Sequence, residues 1–121
     1  MKLSNSFFYT IRENAKDEDS VSGNLLVRAG MIKKSSSGIY MIMPMGKRVL
    51  QKIETIVREE MDATGAQELL MPVLIPEEVY EKSGRREAFG ANMFALKDRY
   101  QKRYVMGPTH EELFTIAATM K

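Results

Sequence analysis

The stretch KRVLQKIETIVREEMDATGAQELLMPVLIP, residues 47–76, decides how the rest of the chain is read. Its apolar residues fall at Val49, Leu50, Ile53, Ile56, Val57 and Met61, with Lys52, Glu54, Arg58, Glu59 and Asp62 between them. Intervals of three and four trace one face of a 3.6-residue helix, so the pattern predicts an amphipathic helix over 47–63, closed by Gly65. The compact apolar run Leu69-Leu70-Met71 follows. It predicts a strand ended by Pro72, with Val73 to Pro76 continuing extended.

Upstream, Ser6 to Ile11 is apolar and aromatic and gives way to the charged Arg12 to Asp19. That pattern predicts an edge strand or short helix, then a loop. Ser22-Gly23-Asn24 opens a short helix over Leu25 to Ala29, stopped by Gly30. Gly38 to Met43 reads as a buried strand ended by Pro44. Downstream, Glu77 to Lys82 reads as a short helix closed by Ser83-Gly84. Met93 to Leu96 and Arg103 to Met106 flank a polar turn, a β-hairpin in outline. Gly107 to Glu112 opens a final helix through Leu113, Phe114, Ile116 and Ala117. The order strand, long helix, strand, hairpin, helix predicts an α+β fold with an antiparallel sheet flanked by helices. About four strands and a last helix running uncapped to Lys121 leave that sheet poorly covered, which predicts a fragment of something larger.

Composition bounds the function. The chain has 121 residues, enough for one domain, and 44% hydrophobic with 28% charged residues, an ordinary globular balance. A net charge of +2 is too mild for a nucleic-acid footprint, and the clusters Lys33-Lys34, Arg85-Arg86 and 97–103 read as solvated faces and turns. Without cysteine there is no disulfide or thiolate metal site, and the single His110 builds none alone. The start lacks the apolar core of a signal peptide, and no run approaches the ~18 apolar residues of a membrane span. The expected location is cytoplasmic, with no membrane partner.

Four stretches, taken in order, resemble prolyl-tRNA synthetase of the bacterial type, within the class II aminoacyl-tRNA synthetases. They are Arg28 to Ile32; Gly38-Ile39-Tyr40 with Pro44; Val57 to Met61 leading into Leu70-Met71-Pro72-Val73; and Gly107-Pro108-Thr109-His110-Glu111-Glu112. The likeness runs over essentially the whole chain and implies the first part of a class II catalytic domain. Residues 38–76 correspond to motif 1, which in that family forms the homodimer interface. The resemblance thus implies that Leu70, Met71 and Pro72 lie at a subunit contact, while the helix stripe is assigned to core packing ahead of the interface.

Residues 107–112 carry the sharpest likeness. Threonine, any residue, glutamate here resembles the loop with which seryl- and prolyl-tRNA synthetases hold the amino acid's amino group, which implies that Thr109 and Glu111 bind proline. Proline's secondary ammonium has two N–H donors and one positive charge, and a carboxylate with a hydroxyl oxygen can accept both. A second reading stands beside it: Thr109 with Glu112 three residues on fits a capping box that touches no substrate. Glu111 is left over by the box, and His110 reads as structural. This chain departs from the family in carrying Arg86, and Tyr80, at positions where tryptophan is usual, and neither Arg85 nor Arg86 is given a site role.

The resemblance implies an enzyme that activates proline with ATP and Mg2+ and transfers it to tRNA(Pro). The arginine-bearing motif 2, motif 3, the editing insertion and the anticodon-binding domain do not occur in these residues. The chain alone is therefore expected to be inactive, with no catalytic residue, no metal site and no tightly bound cofactor of its own. The alternatives are a seryl- or threonyl-type relative, against which Gly107-Pro108 argues, and a non-catalytic interaction module that keeps the dimer surface.

Overall fold

The computed structural model describes residues 2–16 and 18–120. Asp17, within the loop expected over Arg12 to Asp19, and Lys121, the expected end of the last helix, lie outside the described residues. The protein is α+β, and it divides into two compact units, Met1–Gln67 and Glu68–Lys121.

In the first unit, residues 6–11 form neither strand nor helix; only a single 3-10 turn, Leu3–Asn5, precedes them. Instead the segment runs past the end of helix α1 (Val21–Arg28), with the Ile11 N–H donating to the Arg28 carbonyl at 3.0 Å. Gly30 permits this approach, because a Cβ there would lie 2.0 Å from the Tyr9 carbonyl oxygen, and its φ of +65° suits glycine. Helix α1 begins earlier than expected because Ser20, ahead of Ser22-Gly23-Asn24, is the cap, accepting from the Gly23 N–H at 3.0 Å. Asn24 ties down the incoming loop, accepting from the Ala15 N–H at 2.9 Å and donating to the Glu18 carbonyl at 2.7 Å. Hydrogen bonds from Ser20 and then Tyr40 hold the Glu18 carboxyl below its usual range.

Strand β1 (Ile32–Ser36) escapes the sequence reading, because Lys33-Lys34-Ser35-Ser36 carries no apolar alternation. It pairs antiparallel with β2 (Ile39–Ile42), with Ile32 opposite Ile42. Strand β2 forms where expected but is exposed along its whole length, since a two-stranded ribbon has no second layer to cover it. Pro44 does not merely end that strand. It is the first residue of helix α2 (Pro44–Ala63), where its missing N–H costs nothing. The amphipathic pattern is correct, and α2 ends as expected before Gly65 at φ +82°. Its assignment to core packing is not: α2 contains no buried residue, and Val49, Ile53, Ile56, Val57 and Met61 are 44–60% exposed.

In the second unit, Leu69-Leu70-Met71 is not a strand. The strand is β3 (Leu74–Pro76), five residues further on, because that is the stretch with a pairing partner. Among the described residues nothing offers Leu69 to Met71 a ladder, and Leu70 is 99% exposed. Strands β4 (Ala95–Lys97) and β5 (Arg103–Met106) form the expected hairpin, and the sheet order is β3-β5-β4, antiparallel throughout. Pro76 is tolerated because β3 is an edge. Asp98 organises the hairpin turn, its Oδ1 accepting from the Tyr100 and Lys102 N–H groups at 2.8 and 2.9 Å.

Helix α3 (Glu77–Ser83) stops at Gly84, φ +75°, and a short α4 (Arg85–Phe89) follows, leading into a 3-10 turn at Gly90–Asn92. The core is Ile75, Tyr80, Met93 and Val105, with Val79, Phe89 and Leu113 packed against it. Helix α5 spans Glu111–Ala118 and ends short of Lys121. Through Leu113 the core ties the sheet to the end of the chain where the resemblance placed the site.

Candidate functional site

The site is built on the link from β5 to α5. Gly107 donates its N–H to the Val73 carbonyl at 2.9 Å, and a Cβ on it would come within 2.5 Å of Ile75 Cδ1. A side chain there would have to displace the tip of the buried Ile75. His110 donates from Nε2 to the Pro72 carbonyl at 3.0 Å, a structural role as expected. The buried Tyr80 hydroxyl donates to the Thr109 carbonyl, and burial pushes that phenol's pKa up. Three anchors thus fix the backbone of residues 107–110.

The capping box does not form. The N-cap of α5 is His110, without a side-chain cap, so Thr109 lies one residue outside the helix. Glu111 and Glu112 occupy the first turn, where unpaired backbone N–H groups favour negative charge. Glu112 turns to α3 and α4: Ser83 Oγ donates to its Oε1 at 2.9 Å, and Arg85 Nη1 lies 3.0 Å from both its oxygens. The Glu112 side chain is 9% exposed and Glu111 is 66% exposed, so the two neighbours face different surroundings.

Thr109 and Glu111 converge on a cation. Arg85 donates from Nη2 to Thr109 Oγ1 at 2.6 Å and from Nη1 to Glu111 Oε2 at 2.8 Å. Its guanidinium lies over the Phe89 ring, 5.2 Å from the centroid. The neighbouring Thr109 hydroxyl and then the Arg85 guanidinium draw the Glu111 pKa down to about 2. Glu111 in turn raises the pKa of Arg85. The arrangement is an ionised carboxylate and a hydroxyl oxygen facing one positively charged group, with the carboxylate open to solvent.

Arg85 is the residue the sequence reading missed. Its place directly after Gly84, a helix-ending glycine, was the available signal, since the turn aims the side chain back across α3 towards residues 109–112. Arg86 points elsewhere, to Glu77. Leu70, Met71 and Pro72 lie before β3; of these, the structure ties only the Pro72 carbonyl to the site loop. Among the described residues no group of three or more His, Cys, Asp or Glu could hold a metal ion. No helix described is long and apolar enough to cross a membrane.

Comparison with curated proteins gives the class first: the relatives are aminoacyl-tRNA ligases. The chain is 51% identical over 115 residues to the proline–tRNA ligase of Caldicellulosiruptor bescii, covering 95% of this chain and 20% of that protein. It is 48% identical over 118 residues to that of Coprothermobacter proteolyticus, covering 98% and 21%. The Nocardioides sp. proline–tRNA ligase is 50% identical over 116 residues, covering 96% and 20%. Along nearly its whole length the chain is similar to proline–tRNA ligases, and it spans about a fifth of the length of the curated relatives it matches. No model of a known protein family matches it.

Proposed function

We propose that this chain supplies the amino-group clamp of a proline–tRNA ligase, within the first part of a class II catalytic domain. The whole enzyme would activate proline with ATP and transfer it to tRNA(Pro) in the cytoplasm. The observation that carries the reading is the convergence of Thr109 and Glu111 on the Arg85 cation. Two acceptors that already seat one cationic nitrogen group have the spacing and charge to take the two N–H groups of a secondary ammonium. Binding there fixes the orientation of the amino acid, and the carboxyl end that reacts with ATP is left to residues elsewhere in the enzyme. ATP and Mg2+ belong to that remainder of the protein.

Proline-dependent ATP–pyrophosphate exchange by the full-length enzyme tests this reading. Thr109→Val keeps the shape of the side chain and removes its oxygen. It is expected to lower kcat/KM for proline about 5- to 30-fold, the loss of one hydrogen bond in a polar site. Unchanged exchange kinetics would remove Thr109 from the clamp.

The exposed Leu70, with Leu69 and Val73 more than half exposed beside it, supports assigning the 69–73 segment, including Met71 and Pro72, to a homodimer contact. In the full-length protein, Pro72→Arg would place a charge at that contact and weaken self-association at least tenfold. Sedimentation of parent and variant at matched concentrations gives the answer, and equal dissociation constants would exclude the contact.

A further inference from the structure

Neither half of the clamp would hold its own side chain still. Glu111 is mostly exposed on the first turn of α5, and a glutamate in water spreads its carboxylate over several rotamers. The Tyr80 hydroxyl fixes the Thr109 carbonyl, which leaves the position of Oγ1 to be set by something else. Arg85 sets both. Nη2 donates to Thr109 Oγ1 at 2.6 Å and Nη1 to Glu111 Oε2 at 2.8 Å, so one planar guanidinium determines where the two oxygens lie.

The guanidinium is itself fixed from the buried side. Nη1 lies 3.0 Å from both oxygens of the nearly buried Glu112, which accepts from Ser83 Oγ at 2.9 Å. The Phe89 and Tyr80 rings lie 5.2 and 6.0 Å from it. Anchoring thus runs from α3 and α4 through Glu112 and Arg85 to the exposed carboxylate. Arg85 bonds one oxygen of that carboxylate, which keeps acceptor positions for a ligand.

We propose that Arg85 is a positioning residue for proline binding, a fork that holds Thr109 Oγ1 and Glu111 Oε2 at one spacing before the amino acid arrives. A ligand then does not have to order the two side chains that receive it. Without the fork that ordering falls on the binding step, so the loss belongs in the KM for proline and spares the KM for ATP. An ion pair as exposed as Arg85–Glu111 adds little to stability, which makes substrate binding the place where it acts.

This role rests on Thr109 and Glu111 being the amino-group clamp, and one set of variants separates the two. Proline-dependent ATP–pyrophosphate exchange is measured on the full-length enzyme and on its Arg85→Ala, Arg85→Lys and Glu111→Gln variants, with and without methylguanidinium. Arg85→Ala is expected to raise the KM for proline about tenfold or more and to leave the KM for ATP within about twofold of the parent's. Methylguanidinium, the head of the missing side chain, should recover at least about threefold of that loss in Arg85→Ala and nothing in the parent. Arg85→Lys keeps the charge without the planar fork and should raise the KM for proline about threefold. A KM for proline within twofold of the parent's in Arg85→Ala overturns the role. Equal rises for proline and ATP, or a loss that methylguanidinium does not relieve, would make Arg85 a support of the fold alone and overturn it too. If Arg85→Ala does not fold, Arg85→Lys decides by the same twofold limit. A Glu111→Gln variant with the parent's KM for proline overturns the clamp itself; with that variant impaired and Arg85→Ala silent, the clamp stands and only the positioning role fails.

Discussion

Glu77→Ala is expected to lower the stability of the Glu68–Lys121 unit by about 2–4 kcal/mol. The Glu77 side chain is 3% exposed and lies between two arginines, with Oε1 on Arg86 Nε and Oε2 on Arg103 Nε. It joins the start of α3 to α4 on one side and to the hairpin on the other, and Arg86 also donates to the Gly90 carbonyl at 3.1 Å. Removing one partner of a buried ion pair typically costs ~3–5 kcal/mol because the other charge stays buried. Here Arg86 and Arg103 are 26% and 57% exposed and can recover water, which places the effect towards the lower end. Amide hydrogen exchange at the buried Ile75, Tyr80 and Val105 reads it directly. Protection reduced by under ~1 kcal/mol would show that the triad contributes little net stability.

The same group has a pH signature. The hydrogen bond from Arg86 and the charge of Arg103 hold the Glu77 pKa below its ordinary value, against the effect of burial. An unfolded chain therefore binds this proton more readily than the folded one. The stabilisation is full above the unfolded pKa, near ~4.3, and is lost as pH falls through the lower folded pKa. Glu77→Gln lacks that dependence, so parent and variant should converge in stability as the pH is lowered below about 4. A constant difference across that range would assign the effect to packing.

How much of this was legible in the sequence differs by element, for physical reasons. Helix α2 was readable because 20 residues of strict periodicity outweigh local noise. The hairpin and α3 were readable from their apolar runs and from Gly84. Two strand assignments went astray in opposite directions. Leu69-Leu70-Met71 has strand composition and no partner, whereas β1 has a partner, β2, and almost no strand composition. Pairing is non-local, and a window of sequence does not contain it. The site shows the same limit. Thr109 and Glu111 could be named because residues 107–112 resemble the amino-group loop of seryl- and prolyl-tRNA synthetases, a likeness held within one short stretch. Arg85 completes the constellation from 24 residues away, and its place after Gly84 was the one signal for it. The capping box failed because the spacing of Thr109 and Glu112 is necessary for it and not sufficient. Arg85 and Ser83 offered Glu112 stronger partners than a backbone N–H.

Glu111→Gln, in the full-length enzyme, is expected to lower kcat/KM for proline roughly 30- to 1,000-fold while leaving the fold in place. The substitution keeps the length and shape of the side chain and replaces an acceptor-only anion with a neutral amide. An amide nitrogen offers no acceptor, and the charge opposite the ammonium is lost in either orientation. Because the carboxylate pKa lies at about 2, Glu111 is ionised at any pH at which the enzyme works, so the effect should not be reproduced by mild acidification. Glu112→Gln makes the contrast. That side chain is 9% exposed and bonds Ser83 and Arg85, so its loss should appear in the melting temperature and in the placement of Arg85. Its kcat/KM for proline should fall less than tenfold. Exchange kinetics with thermal melts on both variants distinguish the two adjacent carboxylates. A silent Glu111 and a kinetically critical Glu112 would mean that the ligand enters from the α3 side, and that the exposed carboxylate is only a surface partner of Arg85.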